Sequence, residues 1–191
     1  MHMHYSILII SWAGYFLFHS WLASTLVKDF FAKKLKRKFH YYRLSYNILS
    51  TVGLFGLFLL NGSISSAAFF ESTGLARYVS LLLATLGVFV INASFRQYKL
   101  SSFLGFREEN EGFTSDGILG KVRHPIYSGT ILIVLGFFLF NPNLPTLISM
   151  LCIFFYLAIG IKLEERKLAQ KFGNAYLEYK KRVPMLAPRI F

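Results

Sequence analysis

Acidic side chains are scarce in this chain, nine against 21 Lys and Arg, and charge of either sign makes up only 16% of its 191 residues. Hydrophobic residues account for 54%. They come in blocks rather than at the alternating spacing of a soluble domain, and such blocks read as transmembrane helices. Cysteine occurs once, as Cys152 inside an apolar block. That excludes a disulfide framework and a thiolate metal cluster. No interior stretch is rich enough in Gly, Ser or Pro to divide the chain, and no repeat or low-complexity tract is present. Residues 1–191 are therefore expected to form a single membrane-embedded domain. The first apolar block has no basic region ahead of it, so a cleavable signal peptide is not expected. His2 and His4 are incidental, and no set of residues has the spacing of a metal site.

The apolar blocks cover residues 5–27, 44–62, 78–95, 126–140 and 146–161. Five spans follow, the first three within 1–95, the last two a hairpin within 96–191. The turn Asn141-Pro142-Asn143-Leu144-Pro145 carries two prolines in five residues, which breaks a helix. The hairpin blocks are short, 15 or 16 residues, or about 22–24 Å at 1.5 Å each. All but Arg77 of the 21 basic residues fall in 28–43, 96–123 and 162–189. Five spans put these three segments on one face, and the positive-inside rule makes that face cytoplasmic. The amino terminus is then outside and the carboxyl terminus cytoplasmic. A net charge of +12 so distributed reports topology and contact with membrane lipid, not nucleic acid.

Chemistry-bearing residues gather at both ends of the hairpin. Its 37 residues, 125–161, hold no charged side chain. Just before it stand Arg123 and His124, with Pro125 at the favoured first position of a helix. The free N–H groups of that helix terminus suit a carboxylate or other anion. Ser128 and Gly129 keep the first turn slim, which lets either a ligand or another helix approach. After the hairpin come Glu164 and Glu165. They either pair with the adjacent Arg166 and Lys167 or hold a cationic ligand. Residues 163–182 form an amphipathic interfacial segment with Leu168, Phe172, Tyr176 and Tyr179 on one face and a break at Gly173. Lys180 and Lys181 read as lipid-headgroup contacts. Arg182, whose fork can grip a carboxylate or phosphate, is the candidate for a directed contact with substrate. Within the spans, His19 is either an interhelical hydrogen bonder or a ligand contact. Asn92 and Arg96 are further candidate contacts for the substrate.

Arg123-His124-Pro125-Ile126-Tyr127-Ser128-Gly129, Glu164-Glu165, the segment from Phe172-Gly173 to Tyr176 and Tyr179, and Val183-Pro184 resemble, in order and spacing, the motifs of the isoprenylcysteine carboxyl methyltransferase family. The resemblance covers about residues 96–191. The first half is similar to NnrU-like proteins and methanethiol S-methyltransferases through residues 19–24 and 42–47. One departure is Gly117-Ile118-Leu119, where many relatives carry Gly-x-Tyr. The resemblance implies an all-α, polytopic membrane helical bundle that binds S-adenosylmethionine between the hairpin and the carboxyl-terminal segment. Arg123, His124, Pro125, Tyr127, Gly129, Glu164 and Glu165 would hold the cofactor. Arg182 and Glu165 would stand at the reaction, with a small or lipophilic thiol, carboxylate or amine as acceptor. A sulfonium is already an activated methyl donor, so no metal is expected. Two other functions remain open on the residues alone. A membrane reductase of the sterol-reductase type would bind NADPH, though two carboxylates repel its phosphate. A non-catalytic scaffold would bind lipid or protein through the basic loops.

Overall fold

The computed structural model describes residues 2–97 and 115–189. The middle of the basic segment 96–123 and the last two residues lie outside the described residues. Seven α-helices and two short 3-10 turns are present among them, and no strand. They are α1 (His2–Ala23), α2 (Thr25–Leu35), α3 (Phe39–Ser63), α4 (Gly74–Gln97), α5 (Pro125–Phe140), α6 (Leu144–Phe172) and α7 (Asn174–Arg182). The chain is an all-α membrane bundle, as its composition implies.

Its packing is that of a lipid-solvated protein. Large apolar side chains point outward, with Ile10, Leu17, Val52, Phe89 and Phe155 all more than 60% exposed. Polar groups lie inside: Asn61, Thr146 and Ser149 are at most 2% exposed. With no water in the bilayer these groups must satisfy one another. Trp12 Nε1 and Asn61 Nδ2 both donate to Ser149 Oγ at 2.9 Å, and Thr146 Oγ1 donates to Asn61 Oδ1 at 3.3 Å. This network ties α1, α3 and α6 together. Ser149→Ala leaves two buried donors unpaired and is expected to lower stability by about 1–2 kcal/mol. Unfolding in mixed micelles measures it, and an unchanged midpoint would mean that the network contributes nothing.

Four apolar stretches are long enough to cross a membrane, Met3–Ala23, Thr25–Ser63, Gly74–Arg96 and Leu144–Phe172, while Pro125–Phe140 is shorter. The second of these is broken, because α2 is a separate amphipathic helix. Ser24 ends α1 by donating to the Trp21 carbonyl at 2.7 Å and caps α2 by accepting from Val27 N–H. Val27, Phe31 and Leu35 then pack on Leu22, Phe39 and Tyr42, which leaves the lysines of α2 on its outer side. The basic segment 28–43 is thus largely helical.

The hairpin departs from the sequence expectation on one side only. Asn143 Oδ1 accepts from Thr146 N–H at 3.0 Å and starts α6, as the turn predicts. But α6 does not stop near residue 161. It runs 29 residues to Phe172, about 43 Å at 1.5 Å each, longer than the hydrocarbon core of about 30 Å. Glu164 and Glu165 therefore lie within a continuous helix rather than past its end. Gly173, at φ 55°, ends it in the left-handed region that favours glycine. Loops 64–73 and 141–143, both free of basic residues, meet at one end of the bundle, where Phe69 N–H donates to the Pro142 carbonyl at 2.7 Å.

The most extensive helix contact joins α4 to α5. Its helices touch backbone to backbone. A Cβ added at Gly87 would stand 2.5 Å from the Gly129 carbonyl oxygen, and one at Gly136 would stand 2.6 Å from that of Ser80. The paired positions repeat every seven residues on both helices, so one small-residue seam fixes α5 against α4.

Candidate active site

The amino end of α5, the polar end of α6, and α7 converge. Glu165, 7% exposed, lies at their centre. Its Oε1 accepts from Arg123 Nη2 at 2.7 Å and faces His124 Nε2 at 3.3 Å, while Oε2 accepts from Lys180 Nζ at 2.6 Å. Glu164, with a side chain 43% exposed, has Oε2 3.8 Å from His124 Nδ1. The imidazole thus stands between the two carboxylates. Tyr127 packs edge-on against His124, with ring centroids 5.5 Å apart. Its hydroxyl would lie 3.3 Å from a Cβ at Gly160, so the absence of a side chain there makes room for the phenol.

A strap closes the far side. Arg123 and His124 donate their backbone N–H groups to the Pro184 and Met185 carbonyls at 2.9 and 3.1 Å. Ser128 Oγ donates to the Leu186 carbonyl at 2.6 Å, and Arg123 Nη1 donates to that of Lys180 at 2.7 Å. The backbone N–H groups just ahead of the hairpin helix, at residues 123 and 124, are therefore taken by the carbonyls of residues 184 and 185. Beneath the strap Tyr176, Tyr179 and Val183 form a buried cluster with Leu168 and Phe172. Tyr179 donates its hydroxyl to the Leu119 carbonyl at 2.7 Å. The Gly117–Gly120 turn thus supplies a backbone acceptor. Burial, then the Glu165 charge, pushes the Tyr176 phenol up to about 12, which keeps it a neutral hydroxyl at ordinary pH.

Of the residues singled out from sequence, Arg123, His124, Tyr127, Glu164 and Glu165 come together. Pro125 begins α5 and is fully buried. Gly129 turns the other way: a Cβ there would meet Ile91 at 2.6 Å and the Gly87 carbonyl oxygen at 2.7 Å, so the close approach it permits is to α4. Arg182, Asn92 and Arg96 are exposed. His19 belongs to a different cluster, its Nδ1 3.0 Å from Ser50 Oγ and its Nε2 3.0 Å from the Tyr46 hydroxyl, near Tyr156. The cations that compensate Glu165 are Arg123 and Lys180, from distant positions in the chain, rather than its neighbours Arg166 and Lys167. Lys180 is accordingly not a plain headgroup contact, whereas Lys181 pairs with Glu178 at 2.7 Å in the open. Nothing in the sequence separates these adjacent lysines, since the turn at Gly173 decides which one faces Glu165.

One polar group in this cluster is left over. Arg123 is 8% exposed, and its Nε–H has no hydrogen-bond partner among the described residues. A buried unpaired donor is costly. Beside two carboxylates, it gives the site one spare donor for an anionic oxygen and acidic oxygens for a cation. That donor set fits a zwitterionic ligand.

Residues 75–175 match the model of the phospholipid methyltransferase family. Methanethiol S-methyltransferase 2 of Bradyrhizobium diazoefficiens is 29% identical over 185 residues, 91% of this chain and 69% of that protein. Protein-S-isoprenylcysteine O-methyltransferase B of Arabidopsis thaliana is 34% identical over 84 residues, 43% of this chain and 42% of that one. Its counterpart in Schizosaccharomyces pombe is also 34% identical, over 85 residues, 44% of this chain and 36% of that protein. No solved structure matches.

Proposed function

Because the chain belongs to the phospholipid methyltransferase family, and is on that ground a membrane methyltransferase acting on a small or lipophilic acceptor, we propose that it takes the methyl group from S-adenosylmethionine and places it on a thiol. The observation that carries the site assignment is the convergence of Arg123, His124, Glu164 and Glu165 from the two ends of a charge-free hairpin. Bound there, S-adenosylmethionine would supply a methyl group on a sulfonium, activated without a metal.

The chain's own residues then bind, orient and exclude water. Glu164 and Glu165 favour positive charge, and the spare Nε–H of Arg123 suits a carboxylate. Tyr127 packs between His124 and Gly160 of α6, and the strap at residues 183–186 keeps water from the buried side. Alignment is the main requirement of methyl transfer, and helices locked by packing provide it. A thiol acceptor must also lose a proton, and Glu164 is the more exposed carboxylate able to take it. Arg182, exposed at the end of α7, is assigned to orient the acceptor. The preference for a thiol rests on coverage, because the S-methyltransferase similarity spans nearly the whole chain and the O-methyltransferase similarity less than half. His19, Asn92 and Arg96 are assigned to the acceptor's approach.

Transfer of labelled methyl to alkyl thiols, amines and carboxylates by the purified protein in bilayers tests this. We expect the thiol to be methylated fastest. Labelling of none of the three, with no binding of S-adenosylmethionine, would overturn the assignment, and NADPH binding instead would favour the reductase. Arg182→Lys keeps the charge but loses the fork. Turnover should fall while donor affinity stays within about twofold, and a variant that loses donor binding would place Arg182 in the donor site.

We also assign the amino terminus to the outside and the α5 amino end to the cytoplasm. Cysteines introduced at Ser65 and Ser115, in the Cys152→Ser background, should label from opposite sides of the membrane. Equal labelling of both from outside would refute this orientation.

A further inference from the structure

Two cationic side chains and an imidazole surround Glu165, and they are not equivalent. Arg123 is 8% exposed and doubly tied, through Nη2 to Glu165 and through Nη1 to the Lys180 carbonyl. His124 is 3% exposed. The Lys180 side chain is 46% exposed, yet its ammonium sits 2.6 Å from Glu165 Oε2. Withdrawing Arg123 would strand a buried guanidinium, a costly state. Withdrawing Lys180 returns a half-hydrated ammonium on a flexible stem to water. The carboxylate left behind keeps Arg123 on Oε1, but its Oε2 loses its partner in a buried setting and favours a new one.

We infer that Lys180 is the exchangeable counter-ion of Glu165, and that it competes for Oε2 with ligands that carry positive charge of their own. The inference rests on the donor assigned above. An arriving cationic group takes the place of the ammonium at Oε2, so its attraction to Glu165 is offset by the ion pair it breaks. An uncharged ligand has nothing to offer Glu165 and leaves Lys180 in place. Lys180, the one cation that can leave, thus holds down the site's affinity for cationic ligands and not for uncharged ones. Lys180 is a specificity-determining residue in this account, not a catalytic one. It also differs from its neighbour Lys181, whose partner Glu178 is on the open face of the same helix.

Binding to the purified chain in lipid nanodiscs tests it with three probes. S-adenosylmethionine carries a sulfonium and an ammonium, S-adenosylhomocysteine an ammonium only, and 5′-methylthioadenosine neither. Lys180→Met should tighten S-adenosylmethionine by about tenfold and leave methylthioadenosine within about twofold. Lys180→Arg, which keeps a cation, and Lys181→Met, which leaves the pair intact, should not tighten it. If S-adenosylhomocysteine tightens as well, the ligand's ammonium is the competing group, and if it does not, the sulfonium is. Either result supports the exchange. Unchanged or weaker S-adenosylmethionine binding in Lys180→Met would overturn it, as would equal tightening of all three probes, which would make Lys180 a steric plug. Failure of both the wild type and Lys180→Met to bind S-adenosylmethionine would remove the donor assignment and this inference with it.

Discussion

Glu165→Ala is expected to abolish methyl transfer and to destabilise the chain by about 3–5 kcal/mol, the usual cost of removing one partner from a buried ion pair. Glu165 accepts from Arg123 and Lys180 and faces His124 at the junction of α5, α6 and α7. Its loss strands the Arg123 guanidinium, whose side chain is 6% exposed. Glu165→Gln keeps the shape and an acceptor oxygen, so it should fold better while still losing most donor affinity. The neighbouring Glu164 is the built-in comparison. Its side chain is 43% exposed and its contact with His124 is 3.8 Å, so Glu164→Gln should change stability by less than about 1 kcal/mol. Unfolding midpoints and donor affinities of the three variants separate these roles. A larger loss of stability from Glu164→Gln than from Glu165→Ala would mean that the cluster is organised around the wrong carboxylate.

Gly129→Leu carries the other large effect, and through a different cause. A Cβ there would already stand 2.7 Å from the Gly87 carbonyl oxygen and 2.6 Å from Ile91. The first of these obstacles is backbone, which cannot rotate aside, so the helices must separate. Gly129→Ala should cost about 1–3 kcal/mol by overpacking. Leucine adds three more carbons to the same gap and should leave little folded protein. Because α5 starts at Pro125, prising it from α4 also shifts Arg123 and His124, so the alanine variant should lose donor affinity as well as stability. Full donor affinity in a stable Gly129→Leu variant would show that the seam has no hold on the site. A drop confined to affinity, with stability intact, would return Gly129 to the role of a ligand contact.

The contrast between Gly129 and Glu165 shows what the sequence could reveal. The long apolar helices were legible because a bilayer imposes length and apolarity on every segment that crosses it. The gathering of polar groups at the hairpin ends was legible because ionisable groups beside such a segment are costly. The direction in which Gly129 faces was not, since small residues serve a helix seam and a ligand equally well, and the partner glycine lies 42 positions earlier. The continuation of α6 through Glu164 and Glu165 was missed because the composition turns polar at Lys162, although helical hydrogen bonding has no need of apolar side chains. Lys180 was missed for a geometric reason. The turn at Gly173 reverses the course of the chain, and only after that reversal does one lysine of an adjacent pair reach Glu165. Tyr176, Tyr179 and Val183 are spaced three and four apart, and that periodicity does foretell their shared burial.

The strap at residues 183–186 sets an order of events during biosynthesis. Arg123 and His124 leave the ribosome about 60 residues before Pro184 and Met185, whose carbonyls receive their backbone N–H groups. The hairpin must therefore be handed to the bilayer with those amides still unsatisfied. The insertion machinery, headgroups or water have to serve them in the meantime. Docking of residues 183–186 is then the step that turns an inserted set of helices into an enzyme, and a nascent chain arrested before residue 183 would be embedded but inert.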